Sequence, residues 1–173
     1  AFGGLLSCGG WIYDSIMELP LLKKVILIGP DEEAFSRVEP EFKEKVEFLS
    51  RERILEMEET EVSAFVKNQV GEYPLYISID KDVLCETDAD TNWSQGDMRL
   101  STMLECLGAV KEKCAERISR ILGVDICGEC DVTEPGNSAL NDMANAALLE
   151  FFTSTDVGED IEENKNGTTG GNG

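Results

Sequence analysis

The sequence contains no histidine, and this absence excludes several kinds of catalytic and metal-binding site. Imidazole is the usual general base near neutral pH, the partner of nucleophilic serine and cysteine, and a common nitrogen ligand of metals. Any catalysis by these 173 residues alone therefore depends on carboxylates, thiols, lysine or tyrosine.

Basic residues are scarce, because 15 lysines and arginines stand against 35 aspartates and glutamates and leave a formal net charge of −20. Such a charge repels phosphate backbones and anionic lipid headgroups, so we expect neither a nucleic-acid partner nor a membrane partner. Long apolar runs are also missing. The longest, such as residues 25–28, are far shorter than the roughly 18 residues of a membrane-spanning segment.

The opening residues, Ala1-Phe2-Gly3-Gly4, have the pattern of neither a secretory signal nor a natural start. They predict a fragment that is truncated at its N-terminus. We expect the cysteines to be reduced thiols in a cytoplasmic protein, because the chain is long enough to form its own core without disulfides. The six cysteines lie at positions 8, 85, 106, 114, 127 and 130.

Strand and helix patterns alternate along the first 152 residues, which predicts one α/β domain over residues 1–152 with a mainly parallel sheet. Residues 153–173 are polar, acidic and rich in glycine, so we expect a disordered tail there. The predicted strands are 23–30, 46–50, 73–82 and 121–127, and the predicted helices are 11–19, 51–57, 60–70, 100–120 and 139–152.

Two aspartates, Asp80 and Asp82, follow the strongest strand pattern. Residues two apart on a strand face the same side, and two such carboxylates repel each other unless a cation or proton lies between them. A divalent metal with oxygen ligands would satisfy the pair. The alternative is that one aspartate caps a turn and the other faces solvent. In a parallel sheet, this strand end would share one edge with Gly29-Pro30 and Gly128-Glu129.

The segment from Tyr76 to Leu84, YISIDKDVL, resembles the S-x-D-x-D signature of the arginase, agmatinase and deacetylase-like ureohydrolase superfamily. The similarity extends over roughly residues 5–152. Gln95-Gly96 and the helix after them are similar to a glycine loop and helix of that family, and residues 123–129 to the strand that ends in its substrate-binding glutamate. The resemblance implies a three-layer α-β-α fold of the arginase type, present here as its C-terminal part.

The resemblance also implies an activity, namely hydrolysis of a C–N bond in a small cationic guanidino or amidino substrate by a dinuclear Mn²⁺ site. In this family, Asp80 corresponds to the aspartate that bridges both ions, Asp82 to a ligand of the second ion, and Glu129 to the carboxylate that holds the guanidinium group. Members are commonly homo-oligomers. Their remaining ligands come from a motif rich in aspartate and histidine, which would precede Leu6–Trp11 here, so we expect the chain alone to bind metal weakly or not at all.

Three other interpretations remain open at this point. The domain could be an inactive scaffold or oligomerisation unit of the same superfamily. Cys127 and Cys130 form a C-x-x-C pattern, which is found in zinc sites and redox pairs but also arises from thiols that pack as small apolar groups. The loop 92–96 could read a substrate, or Trp93 could pack down on the sheet as part of a plain connection.

Overall fold

The computed structural model describes residues 10–93, 95–116, 119–130, 133 and 138–154, and within them strands alternate with helices. This arrangement confirms the α/β class. The elements are α1 (Trp11–Glu18), β1 (Val25–Ile28), α2 (Glu32–Ser36), α3 (Pro40–Lys43), β2 (Val46–Leu49), α4 (Arg51–Glu56), α5 (Glu59–Gln69), β3 (Leu75–Asp80), a 3₁₀ turn (Lys81–Val83), α6 (Leu100–Ala115), β4 (Ile121–Cys127) and α7 (Ser138–Thr153).

The strands pair in parallel, as predicted, but in two separate ladders rather than one sheet. Across the described residues, β1 pairs only with β2, and β3 pairs only with β4. Each pair is joined by a helical crossover, which a parallel connection requires. In the second ladder Ser78 lies opposite Asp125 and Asp80 opposite Cys127, so the ends of β3 and β4 lie side by side.

The core lies on one face of the β3–β4 ladder, under α5, α6 and α7. Along β3, Ile77 and Ile79 face this core, whereas Tyr76, Ser78 and Asp80 alternate with them on an exposed face. The helices contribute the buried side chains Val62, Val66, Met103, Cys106, Leu107, Val110, Ala144 and Leu148.

Leu148 on α7 is completely buried, and its truncation tests how far the core depends on this last helix. We expect Leu148→Ala to lower the free energy of unfolding by about 3 kcal/mol, because it removes buried apolar surface and leaves a cavity. Leu149, the next residue, is 62% exposed and provides the matched control. Leu149→Ala should change stability by less than about 0.5 kcal/mol in the same urea titration. Equal losses in both variants would contradict the placement of α7.

Several predicted boundaries differ from the structure for local reasons. Helix α5 begins at Glu59 and not at Thr60, because Glu58 and Glu61 form a capping box in which each side chain accepts from the other residue's backbone N–H. Helix α4 begins as predicted, and Ser50 caps it by accepting from the N–H of Arg53 at 3.2 Å. Helix α6 ends at Ala115, short of the predicted residue 120.

Helices α2 and α3 were not predicted from the sequence. They have five and four residues, too few to show a helical period of apolar residues. Residues 1–9, with Cys8, and residues 155–173 of the predicted tail lie outside the described residues, as does Ser94 in the loop after β3. Among the helices that are described, none is both long and apolar enough to cross a membrane.

Candidate metal site at the end of strand β3

Asp80 is the last residue of β3, whereas Asp82 lies in the 3₁₀ turn that follows it. The expectation that both aspartates belong to the strand and face the same side as strand neighbours is therefore wrong for Asp82. Asp80 Oδ1 accepts a hydrogen bond from the backbone N–H of Asp82 at 3.1 Å. Asp80 thus caps the turn, as the first half of the alternative interpretation held, whereas Asp82 does not simply face solvent, since its Oδ1 is buried.

Asp82 is the less solvated of the two carboxylates. Burial raises the pKa of Asp82, the negative charge of Asp80 raises it further, and the neighbouring Thr91 side chain opposes both effects. Within the described part of the chain, Asp82 Oδ1 and Thr91 Oγ1 are buried with no hydrogen-bond partner. A buried carboxylate oxygen without a donor is unfavourable, and a cation, a proton or a small movement of the neighbouring Thr91 hydroxyl would satisfy it.

The raised pKa of Asp82 makes a testable prediction about stability and pH. Because the pKa of Asp82 is raised on folding, above the ordinary aspartate pKa the folded state carries a cost of ionisation that the unfolded state does not. Below the ordinary aspartate pKa of about 3.9, both states are protonated and the cost is gone. We therefore expect Asp82→Asn to have a higher Tm than the wild type at pH 7 and no advantage near pH 3.5.

The difference in Tm between the two proteins is the quantity to measure, at pH 7, 5 and 3.5. Other carboxylates, such as Asp88 and Glu112, have lowered pKa values. Their protonation in acid therefore destabilises the wild type and the variant equally. A Tm advantage of Asp82→Asn that stays constant over this range would show that Asp82 ionises normally.

Glycines crowd around the turn after β3, so Gly29 and Gly128 lie close to it although β1 and β4 belong to separate ladders. Gly128 has φ of 80°, and a Cβ there would lie 2.7 Å from Asp80 Oδ1 and 2.9 Å from the backbone nitrogen of Asp82. A Cβ on Gly29 would overlap the side chain of Val83, and one on Gly96 would overlap the Val83 carbonyl. These close approaches hold the turn tightly between its neighbours.

Lys81, between the two aspartates, is completely buried. Its Nζ donates to Glu129 Oε1 and, at 2.7 Å, to Asn145 Oδ1 on α7. Asn145 Nδ2 in turn donates to the same Glu129 oxygen at 2.9 Å. We refer to Lys81, Glu129 and Asn145 as the lysine network. It joins the ends of β3 and β4 to α7.

Glu129, which the resemblance marked as the substrate carboxylate, is therefore held by a cation of its own chain. Burial acts to raise the pKa of Glu129, but the hydrogen bonds from Lys81 and Asn145 outweigh it and the pKa is lowered. The side chain remains 54% exposed. Sequence reasoning missed the role of Lys81, although a signal was present. Lys81 continues the inward alternation of Ile77 and Ile79, so an inward lysine needed a buried counter-charge.

Cys127 lies opposite Asp80 and is exposed. Burial of the thiol group raises its pKa, and the negative charges of Asp80, Asp125 and Asp82 raise it further. The raised pKa disfavours the thiolate form of Cys127 and therefore the redox interpretation, because a redox pair reacts through a thiolate. The zinc interpretation stays open, because a bound zinc ion deprotonates its thiol ligands. The five described cysteines are free thiols, as expected.

The loop after the turn is fixed on both sides of Trp93. Asp90 exchanges two hydrogen bonds with Asn141 of α7, at 2.8 and 2.6 Å, and Gln95 Nε2 donates to the carbonyl of Leu84 at 2.5 Å. Trp93 itself is 74% exposed, so the interpretation in which it packs down on the sheet is wrong. It follows Thr91 by two positions in the sequence.

The described residues contain no group of three or more histidine, cysteine, aspartate or glutamate side chains arranged to hold a metal ion. The carboxylates of Asp80 and Asp82 fit a cation, because one buried oxygen lacks a donor, but two residues supply only part of a ligand set.

Comparison with known proteins adds one relative of unknown function. No family model matches the chain. An uncharacterized protein of Thermotoga maritima is 32% identical over 150 residues, which are 85% of this chain and 51% of that protein. The chain therefore spans about half the length of the curated relative that it matches.

Proposed function

We propose that this chain is part of a ureohydrolase-like hydrolase with a dinuclear Mn²⁺ site, which cleaves a C–N bond of a guanidino or amidino compound. The observation that carries the proposal is the buried Asp82 oxygen without a hydrogen-bond donor, beside Asp80 at the end of a parallel strand. The S-x-D-x-D resemblance supports the same two residues, and the C-terminal strand edge is where open α/β sheets bind ligands.

In this proposal, Asp80 and Asp82 hold the metal, and other parts of a longer protein supply the remaining ligands. Two Mn²⁺ ions, when bound, lower the pKa of a shared water so that it can attack an electrophilic carbon. The residues of this chain bind and orient. Gly128 lets the β4 end approach the turn closely, and Asp80 keeps the turn closed through the Asp82 N–H.

The charges around the turn support a cationic substrate. Asp80, Asp82 and Asp125 act together on the exposed Cys127 thiol, so the end of the β3–β4 ladder is a region of negative potential. Negative potential attracts a guanidinium group and raises its local concentration. Glu129 would contribute to such recognition through whatever part of its half-exposed carboxylate the lysine network leaves accessible.

The three-layer α-β-α fold is likewise a proposal. Helices α5, α6 and α7 cover one face of β3, and the opposite face, with Tyr76, Ser78 and Asp80, is exposed. A three-layer fold would cover this second face. We further propose a cytoplasmic protein, on the basis of the free thiols.

The test is metal analysis of the protein encoded by the complete reading frame. We expect two Mn²⁺ per chain by elemental analysis after manganese loading, together with urea or ammonia release from a panel of guanidino and amidino compounds. The competing function, an inactive scaffold of the same fold, is favoured by the lack of a three-ligand cluster among the described residues. A complete protein that is folded, free of bound Mn²⁺ and inactive on the whole panel would support the scaffold.

A further inference from the structure

The lysine network contains a fully buried positive charge, which is rare in proteins. Lys81 is the largest side chain that the described structure buries fully, and its ammonium group has lost all contact with solvent. A buried ammonium is several kcal/mol unfavourable unless a counter-ion and further hydrogen bonds compensate it. Here Glu129 supplies the counter-ion, and Asn145 supplies a second acceptor at 2.7 Å.

The position of Lys81 ties this charge to the two candidate ligands. Lys81 begins the 3₁₀ turn, its carbonyl accepts from the N–H of Leu84 at 2.9 Å, and its neighbours on both sides are Asp80 and Asp82. A side chain anchored inward at this position fixes the backbone between the two flanking aspartates. Gly128 also lies against this turn, so closely that a Cβ there would come within 2.7 Å of the backbone nitrogen of Lys81.

We propose that Lys81 is a positioning residue, whose buried ammonium fixes the turn that carries Asp80 and Asp82, and that Glu129 serves as the counter-ion of Lys81. The importance of this positioning for catalysis rests on the proposed function, because there the two aspartates hold the metal. The positioning itself is independent of metal and of substrate.

The first experiment is a double-mutant cycle in the chain itself, measured by thermal unfolding without metal. Glu129→Gln leaves the buried ammonium without its counter-ion, so we expect Tm to fall by roughly 5 °C or more. In Lys81→Met/Glu129→Gln both charges are gone, and we expect most of this loss to be recovered. If Glu129→Gln leaves Tm unchanged, the carboxylate does not serve Lys81 and the proposal is overturned.

The second experiment separates positioning from general stabilisation by measuring hydrogen exchange at the Leu84 amide, which closes the turn. In Lys81→Met we expect exchange at this amide to be about tenfold faster than in Leu148→Ala, at a urea concentration that gives both variants equal global stability. Leu148→Ala is the control, because it weakens the core but keeps the side chains of Lys81, Glu129 and Asn145. Equal exchange in the two variants would mean that Lys81 only stabilises the fold.

Neither measurement involves manganese or substrate. Failure of the proposed function would appear as a complete protein without Mn²⁺. Failure of the present proposal would appear as an unchanged Tm in Glu129→Gln, or as equal Leu84 exchange in Lys81→Met and Leu148→Ala. The two can therefore fail independently.

Discussion

Asp80→Asn is expected to abolish C–N hydrolysis and to remove at least one Mn²⁺ ion, if the complete protein is the hydrolase that we propose. Asparagine keeps the shape of the side chain and its cap on the Asp82 N–H, but it removes the negative charge that a bridging ligand needs. Asp80 would hold metal in the proposed site and its charge would be lost, so we expect activity to fall by at least about a thousandfold, equivalent to roughly 4 kcal/mol. The measurements are metal content per chain and kcat/KM on the best substrate of the panel.

The matched control for this variant is Asp142→Asn, which removes one negative charge from an exposed position on α7. It should retain full activity and metal content. In the chain alone Asp80→Asn should leave Tm unchanged or raise it slightly, since it relieves the repulsion between Asp80 and Asp82. An Asp80→Asn protein that is fully metallated and active would remove the basis of the ureohydrolase proposal.

Gly96→Ala is expected to be among the most destabilising single-methyl changes in the chain. The added Cβ would overlap the backbone carbonyl of Val83, and backbone cannot move aside as a flexible side chain can. We expect a loss of about 3 kcal/mol in the free energy of unfolding, at the upper end for overpacking. The turn with Asp82 should also be displaced, because Val83 is its last residue.

Gly108→Ala adds the same methyl group where nothing lies within 4 Å, in the middle of α6. It should stabilise the protein by about 0.5 to 1 kcal/mol, because alanine favours the helix over glycine. The two variants should therefore shift the urea midpoint in opposite directions. A Gly96→Ala protein as stable as Gly108→Ala would show that the loop does not lie against Val83.

The extent to which the sequence predicts this structure depends on how regular each segment is. β3 and β4 are short segments rich in isoleucine, leucine and valine, and α6 has a clear helical period, so their class and order could be inferred. The break between the two ladders could not, because pairing between distant strands depends on tertiary packing that no local pattern encodes.

At the candidate site, the sequence placed the aspartates at the correct edge but misjudged the backbone between them. Asp80 can hydrogen bond to an N–H two residues along, and this local bond competes with continuation of the strand. The resulting turn separates Asp82 from β3. The partner of Glu129 was harder to infer, because Lys81 lies 48 positions away in the chain and only the parallel register of β3 and β4 brings them together.

The pairing of β3 with β4 also has a kinetic consequence. Ser78 and Asp125, which hydrogen bond at 2.8 Å across the ladder, are 47 positions apart. Contacts of such high sequence separation require the closure of a long loop before they return any stabilisation, and they slow folding. The cluster at the end of β3 is complete only when β4 has docked. A nascent chain therefore lacks the lysine network until residues beyond α6, including Asn145, have been synthesised.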